Sequence, residues 1–338
     1  MTAVTRATAS RLATGWPAGR WSRWALLAAL LVSGVPTEAQ PSASPALAGR
    51  AIRIDTAPVP LNPRNPWEVR LGDFVYAGGL VLTSSDTDQL HGLSDLEVTT
   101  ANRLTAVTDT GFLVEARLEL DAAGRLTGLA DARLSTLVAL DGSVPAEKSD
   151  MDAEGLALLP NGDRLVSFEV RDRVWLYPAN GGRPRPVPSP AVAFPINTGL
   201  EALTFDPDTA PDAYRVGDEE HGNIWNCRIS SGGCVKGQPV DLPPGFALVS
   251  MRRFGPGQTA YLLRAFDLRR GNRDSLRLYR GDTLTGQLDL ALPLTIDNYE
   301  GVAAVRRADG RIRFYLVSDD NARAFQRTLL VAFDWTPQ

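Results

Sequence analysis

Beyond residue 50 the chain alternates short β-branched and aromatic runs with clusters of Gly, Pro, Asn and Asp, about ten residues apart. Arg103 to Thr108, Arg164 to Val170, Val174 to Tyr177, Ala260 to Leu263 and Ile312 to Ser318 each read as a strand. No long stretch keeps a helical apolar period, so the pattern predicts an all-β chain. The Pro-rich stretch from Pro178 to Pro195 reads as an exposed loop.

A repeat runs through these strands. Four segments carry a carboxylate followed by small and aliphatic residues: Asp95-Leu96-Glu97-Val98, Asp152-Ala153-Glu154-Gly155, Gly199-Leu200-Glu201-Ala202 and Asn298-Tyr299-Glu300-Gly301. Their glutamates are separated by 57, 47 and 99 residues. The last gap holds two units, and Val249-Ser250-Met251-Arg252 stands at its middle, with Met251 where a carboxylate is expected. A unit of about 50 residues divides the 299 residues after position 39 into six. The predicted fold is therefore a β-propeller of six four-stranded blades, its ring closed by N-terminal strands between Ala51 and Ser85.

Each repeat also ends its second strand on a polar residue: Asp109, Glu169, Asp218, Arg264 and Asp319, with Glu219 or Glu220 as alternatives to Asp218. Glu154 and Glu169 are equidistant from Asn161-Gly162, and Glu300 and Asp319 from Asp309-Gly310, which predicts direct cross-strand pairs. Facing carboxylates repel, and a cation held between them removes the repulsion. If the first strand of each blade lines the axis, these groups converge at one mouth of the channel. The predicted ligand set is Glu97, Asp109, Glu154, Glu169, Glu201, Asp218, Glu300 and Asp319. Oxygen-only ligands favour Ca²⁺ or Mg²⁺. The competing role for each glutamate is structural, hydrogen-bonding the backbone of a neighbouring blade. Among the crowded Arg264, Arg269, Arg270 and Arg273, only Arg264 stands in the repeat, where it could hold an anion; His91 and His221 are weaker candidates for the mouth.

Composition narrows the chemistry. Two His and two Cys cannot build a common zinc site, and a net charge of −4 spread evenly excludes a nucleic-acid binder. Neither a Gly-x-Ser-x-Gly elbow nor a phosphate-binding Gly loop with Lys occurs. Residues 1–39 read as a signal peptide: Arg6, Arg11, Arg20 and Arg23 precede an apolar run, Trp24 to Val32, and Thr37-Glu38-Ala39 forms the cleavage site. That run is short for a retained membrane anchor, the alternative reading. Residues 40–50 read as a flexible leader and 51–338 as one domain, periplasmic or extracellular, with no stable membrane insertion once the signal is removed. Cys227 and Cys234 flank Ser230-Ser231-Gly232-Gly233, which predicts a local disulfide; two unpaired buried thiols are the alternative.

These motifs resemble the phytase-like family, also called esterase-like activity of phytase, from about Leu90 to Phe333. The stretches that carry the resemblance are Gly92-Leu93-Ser94, Asp152 to Ala157 with Glu169, Asn197 to Ala202, Asn298-Tyr299-Glu300-Gly301 and Ser318-Asp319-Asp320-Asn321. The chain departs from the family at Leu263, where Glu is expected, and at Ala202, where Gly is commoner. The resemblance implies an exported bacterial propeller-type hydrolase of phosphoesters or esters. The expected activity is divalent-metal-dependent hydrolysis of a small-molecule phosphate ester or other anionic substrate, with Glu154, Glu300 and Arg264 as catalytic residues. The alternatives are a non-catalytic, cation-stiffened binding propeller and a lactonase-type propeller.

Overall fold

Antiparallel hairpins follow one another along the chain, each closed by one of the Gly, Asn or Asp turns that punctuate the sequence. The computed structural model describes residues 49–195, 198–230 and 232–337; the predicted signal peptide, most of the leader, Asn197 and Ser231 lie outside the described residues. Among the described residues the strands form five antiparallel sheets.

Blade 1 holds Leu93–Val98, Arg103–Thr108, Phe112–Leu120 and Leu126–Thr136, with Arg50–Ala51 on its outer edge. Blade 2 is Ala153–Leu158, Arg164–Phe168, Arg173–Tyr177 and Arg185–Val187. Blade 3 is Leu200–Phe205, Ala213–Asp218, Ile224–Arg228 and Cys234–Lys236, and blade 4 is Ala247–Gly255, Gln258–Asp267, Gly271–Arg280 and Thr283–Ala291. Blade 5 begins with Asn298–Arg306, Ile312–Asp319 and Leu329–Trp335 and is completed from outside by Phe74–Thr83 and Asp55–Pro58. The first strand of each blade adjoins those of the next, and the fifth returns to the first.

The ring has five blades, not the six expected. Dividing the length by the repeat counted the N-terminal residues as a blade of their own. They instead supply outer strands to blades 5 and 1, as the closure argument required. The stretch Pro178 to Pro195 is likewise more than a loop, because Arg185–Val187 within it is the edge strand of blade 2.

Each blade buries its two faces against its neighbours, which explains the near-continuous apolar strands. Leu96, Ala303, Tyr315 and Leu330 pack between blades 5 and 1, whereas Leu262, Leu278, Phe314 and Trp335 pack between blades 4 and 5. Close packing at the axis explains the small residue that follows the repeat glutamate. A Cβ at Gly155 would lie 2.4 Å from the Glu201 carbonyl oxygen and 2.7 Å from Leu203 Cβ, so Gly lets two inner strands touch. Cys227 and Cys234 face each other on the outer strands of blade 3 and form the expected disulfide. Among the described residues no helix is long and apolar enough to cross a membrane.

Candidate functional site

All five inner strands break their ladder at the same level. The register shifts at Ser94, Glu201, Val249 and Glu300, and in blade 2 opposite Glu154 and Gly155. A β-bulge leaves one residue outside the ladder and re-aims its side chain. The repeat glutamates Glu154, Glu201 and Glu300 stand at these bulges, while blade 1 has Ser94 and blade 4 has Val249 at the same place.

The bulges correct the expected pairings. In blade 2 a three-residue turn moves the register by one and the bulge moves it by another. The Glu169 amide therefore donates to the Asp152 carbonyl (2.8 Å), and in blade 5 Asp319 pairs with Asn298. Glu154 and Glu169 are not direct cross-strand partners, nor are Glu300 and Asp319.

The result at the mouth is a belt of carboxylates from neighbouring blades. Asp152, Glu154 and Glu169 each offer an oxygen within 4.8 Å of the others, and so do Glu169, Glu201 and Glu219. Glu169 belongs to both groups and receives the Gly199 amide at 3.1 Å. Val170, next to it, holds φ = 61°, a conformation that costs a β-branched residue energy. Lys148 lies beside the belt, its Nζ 2.7 Å from Asp152 and 3.0 Å from Asp109. Gly92 faces Asp109 so closely that a Cβ there would sit 1.9 Å from the carboxylate, and its φ of 63° also favours glycine. On the other side Arg264 spans from Glu219 (3.0 Å) to Glu300 and donates to Asn298 Oδ1 (2.8 Å). Asn298 Nδ2 donates to the same Glu300 oxygen, Oε1, at 2.6 Å.

Burial governs the proton affinities here. It pushes Glu154 well above the ordinary carboxylate range, and Asp152, Glu169 and Glu300 push it in the same direction. Glu201 is raised by burial and by Glu219, against the opposing pull of Arg264. Burial lifts Glu300 to about 8 despite Arg264, and Asp319 to about 6 despite the Asn321 amide. Asp109, Glu169 and Glu219 are raised by the same cause. Among the described residues a buried oxygen of Asp109 has no hydrogen-bond partner. This is the electrostatic signature of a site short of positive charge.

Two predicted ligands lie elsewhere. Glu97 is three residues past the bulge, inside the channel, where it accepts from Arg252 and from the Leu158 amide (3.2 Å). Asp218 stabilises a turn, accepting from the His221 amide (2.7 Å) and Asn223 Nδ2 (2.6 Å); Glu219 takes the place expected for it. His221 itself is exposed on that turn.

Arg252 plugs the channel. Its Nε donates to the Val302 carbonyl (3.0 Å), Nη1 to the Leu156 carbonyl (2.9 Å) and to Glu97, and Nη2 to Asp95 (2.8 Å) and the Leu96 carbonyl (3.1 Å). One guanidinium from blade 4 thus ties the inner strands of blades 1, 2 and 5. Asp95 also receives the Leu156 amide (2.9 Å) and the Ser250 hydroxyl (3.0 Å).

Asp152 and Lys148 escaped the sequence reading, and Glu219 entered it only as an alternative. Asp152 could have been found from its place two residues before Glu154, matching Asn298 before Glu300. Lys148 carries no such signal, because it sits on a short 3₁₀ turn, Lys148–Asp150, outside the repeat.

A family model described as phytase-like, esterase-like activity of phytase, matches residues 88–322. No curated protein matches the chain. Among solved structures, one assigned provisionally as a gluconolactonase is 13% identical, with 86% of this chain and 92% of that one covered and a TM-score of 0.44. An inactive virginiamycin B lyase from Staphylococcus aureus, bound to quinupristin, is 9% identical over 83% of this chain and 99% of that one, with a TM-score of 0.43.

Proposed function

This chain belongs to the phytase-like family, and on that premise we propose that it is an exported, divalent-cation-dependent propeller hydrolase acting on phosphate esters. The observation that carries the reading is the pair of carboxylate triads joined at Glu169. Their all-oxygen donor set fits Ca²⁺ or Mg²⁺, and the raised proton affinities and the unpartnered Asp109 oxygen fit a place meant for a cation. Asp152, Glu154 and Glu169 would hold one such cation, and Glu169, Glu201 and Glu219 a second. When bound, such a cation polarises a phosphoryl oxygen and acidifies water.

The chain's own residues do the rest. Arg264, fixed between Glu219 and Glu300, presents its positive charge beside the belt and favours an anionic ester. Glu300 Oε1 is engaged by Arg264 and Asn298, leaving Oε2 to carry the proton that an affinity near 8 retains at neutral pH. Hydrolysis adds water at phosphorus and breaks the bond to the ester oxygen; Glu300 gives its proton to the departing alkoxide, and the attacking water loses one to a belt carboxylate. The Cys227–Cys234 bridge supports export, since such bonds persist in oxidising compartments.

The test is turnover of phosphomonoesters, phosphodiesters and lactones by purified protein, with Ca²⁺, with Mg²⁺ and with chelator, alongside metal analysis. Phosphatase activity lost to chelator and lost in Glu154→Gln is expected. Metal bound with no turnover on any of them would leave a non-catalytic, cation-stiffened propeller, a reading favoured by the engagement of Arg264 with protein acceptors.

A further inference from the structure

Beside the belt lies a cavity of about 770 Å³ between blades 4 and 5, and Arg264 and Asn298 line both. Its far wall is unusual for a polar propeller surface. Phe266 is 64% exposed, Leu292 68% and Phe325 79%, and all three line the cavity. Large apolar side chains left in water around a concave site mark a place where something apolar docks.

The charges in the same wall are not all spent. Arg327 is held by Asp297 (3.3 Å) and by the Ile296 carbonyl (3.0 Å), so it is neutralised within the protein. Arg323 has no carboxylate at ion-pair distance among the described residues; its guanidinium sits 5.9 Å from the Phe325 ring. The cavity therefore gathers two exposed phenyl rings, a guanidinium with no carboxylate partner among the described residues, and Arg264 in one lining.

We propose that this cavity receives the alcohol portion of the ester and selects a flat aromatic group, so that the substrates are aryl phosphates rather than polyphosphorylated sugars or cyclitols. Phe266 and Phe325 would cover the ring faces, and Arg323 would draw the anion toward Arg264. A densely phosphorylated ring would instead require free cations on every side, whereas Phe266, Leu292 and Phe325 take up part of this wall and Arg327 is already paired with Asp297. The substrate assignment rests on the belt being the hydrolytic site.

Binding and turnover separate the two ideas. Calorimetry with non-hydrolysable 1-naphthylphosphonate and methylphosphonate, at saturating Ca²⁺, is expected to show the naphthyl compound binding about tenfold tighter, the value of one good aromatic contact. Phe266→Ser and Phe325→Ser should each erase most of that advantage, and Arg323→Ser should weaken both ligands. These side chains are exposed, so unchanged melting curves will show that the variants fold. Equal affinity for the two phosphonates, or an aryl preference that survives both Phe variants, overturns the proposal. Tight naphthylphosphonate binding without hydrolysis of 1-naphthyl phosphate removes the hydrolase reading and keeps the aryl site. Hydrolysis of 1-naphthyl and glycerol phosphates with equal KM does the reverse.

Discussion

Replacing Arg252 with Met leaves two buried carboxylates, Asp95 and Glu97, without their cation, and three inner-strand carbonyls without its N–H groups. Removing one partner from a buried ion pair costs about 3–5 kcal/mol. At about 2.1 cal/mol/K of unfolding entropy per residue, a ring of this size loses roughly 5–8 °C in Tm for that change. The pH dependence follows from the sign of the shifts. Burial raises Asp95 to about 6 and Glu97 to about 7 even with the guanidinium present. A carboxylate raised in the folded state binds more protons there than when unfolded, so its stabilisation is present at acid pH and lost as pH rises through the folded value. Without Arg252 both groups rise further, and the deficit should be larger at pH 8 than at pH 5. Urea unfolding at the two pH values measures it. A triple change, Arg252→Met with Asp95→Asn and Glu97→Gln, removes every charge and should recover much of the loss. An Arg252→Met protein within about 1 kcal/mol of wild type, or a triple variant no better than the single one, would refute the plug as described.

The carboxylate belt makes the related prediction that stability without divalent ions falls as pH rises from 5 to 8.5, because Asp319 and Glu300, at about 6 and 8, lose their protons in that window. Added Ca²⁺ should flatten the slope, and thermal melts with and without chelator will show whether it does. Reducing the Cys227–Cys234 bridge opens a short loop and should cost about 2 kcal/mol, seen as a lower Tm in reductant that Cys227→Ser/Cys234→Ser reproduces. Val170→Asn relieves a left-handed conformation at a 38% exposed position and should raise stability by about 1 kcal/mol in urea; no change would mean that the backbone there is not strained.

The strands were legible because their signals are local. Arg103 to Thr108 matches its strand end to end, and Ile312 to Ser318 falls one residue short. The cysteine bridge was legible for the same reason, since a seven-residue separation leaves few other geometries. The blade count was not, because nothing in Asp55 to Thr83 says that these strands will pair with Leu329–Trp335 at the opposite end of the chain. Glu154, Glu201 and Glu300 were recoverable from spacing. Glu97 was misplaced because blade 1 carries Ser94 at the bulge, and matching on the nearest glutamate slid the repeat by three residues. Arg252 was invisible as a plug: its acceptors lie on three other blades, and only the closed ring brings them together.

The strap formed by Arg50–Ala51, Asp55–Pro58 and Phe74–Thr83 has a consequence for how the chain must assemble. Arg50–Ala51 can pair as soon as blade 1 is made, but Phe74–Thr83 is made long before its partner Leu329–Trp335, the third strand of blade 5. Until then its unpaired edge is free to zip onto any other strand, including one from a second unfinished copy. Late in assembly the strap spans the gap between the first and last blades like a clasp. Its peeling would give the ring a hinge-free route to open from the outside inward while the guanidinium at the hub still holds.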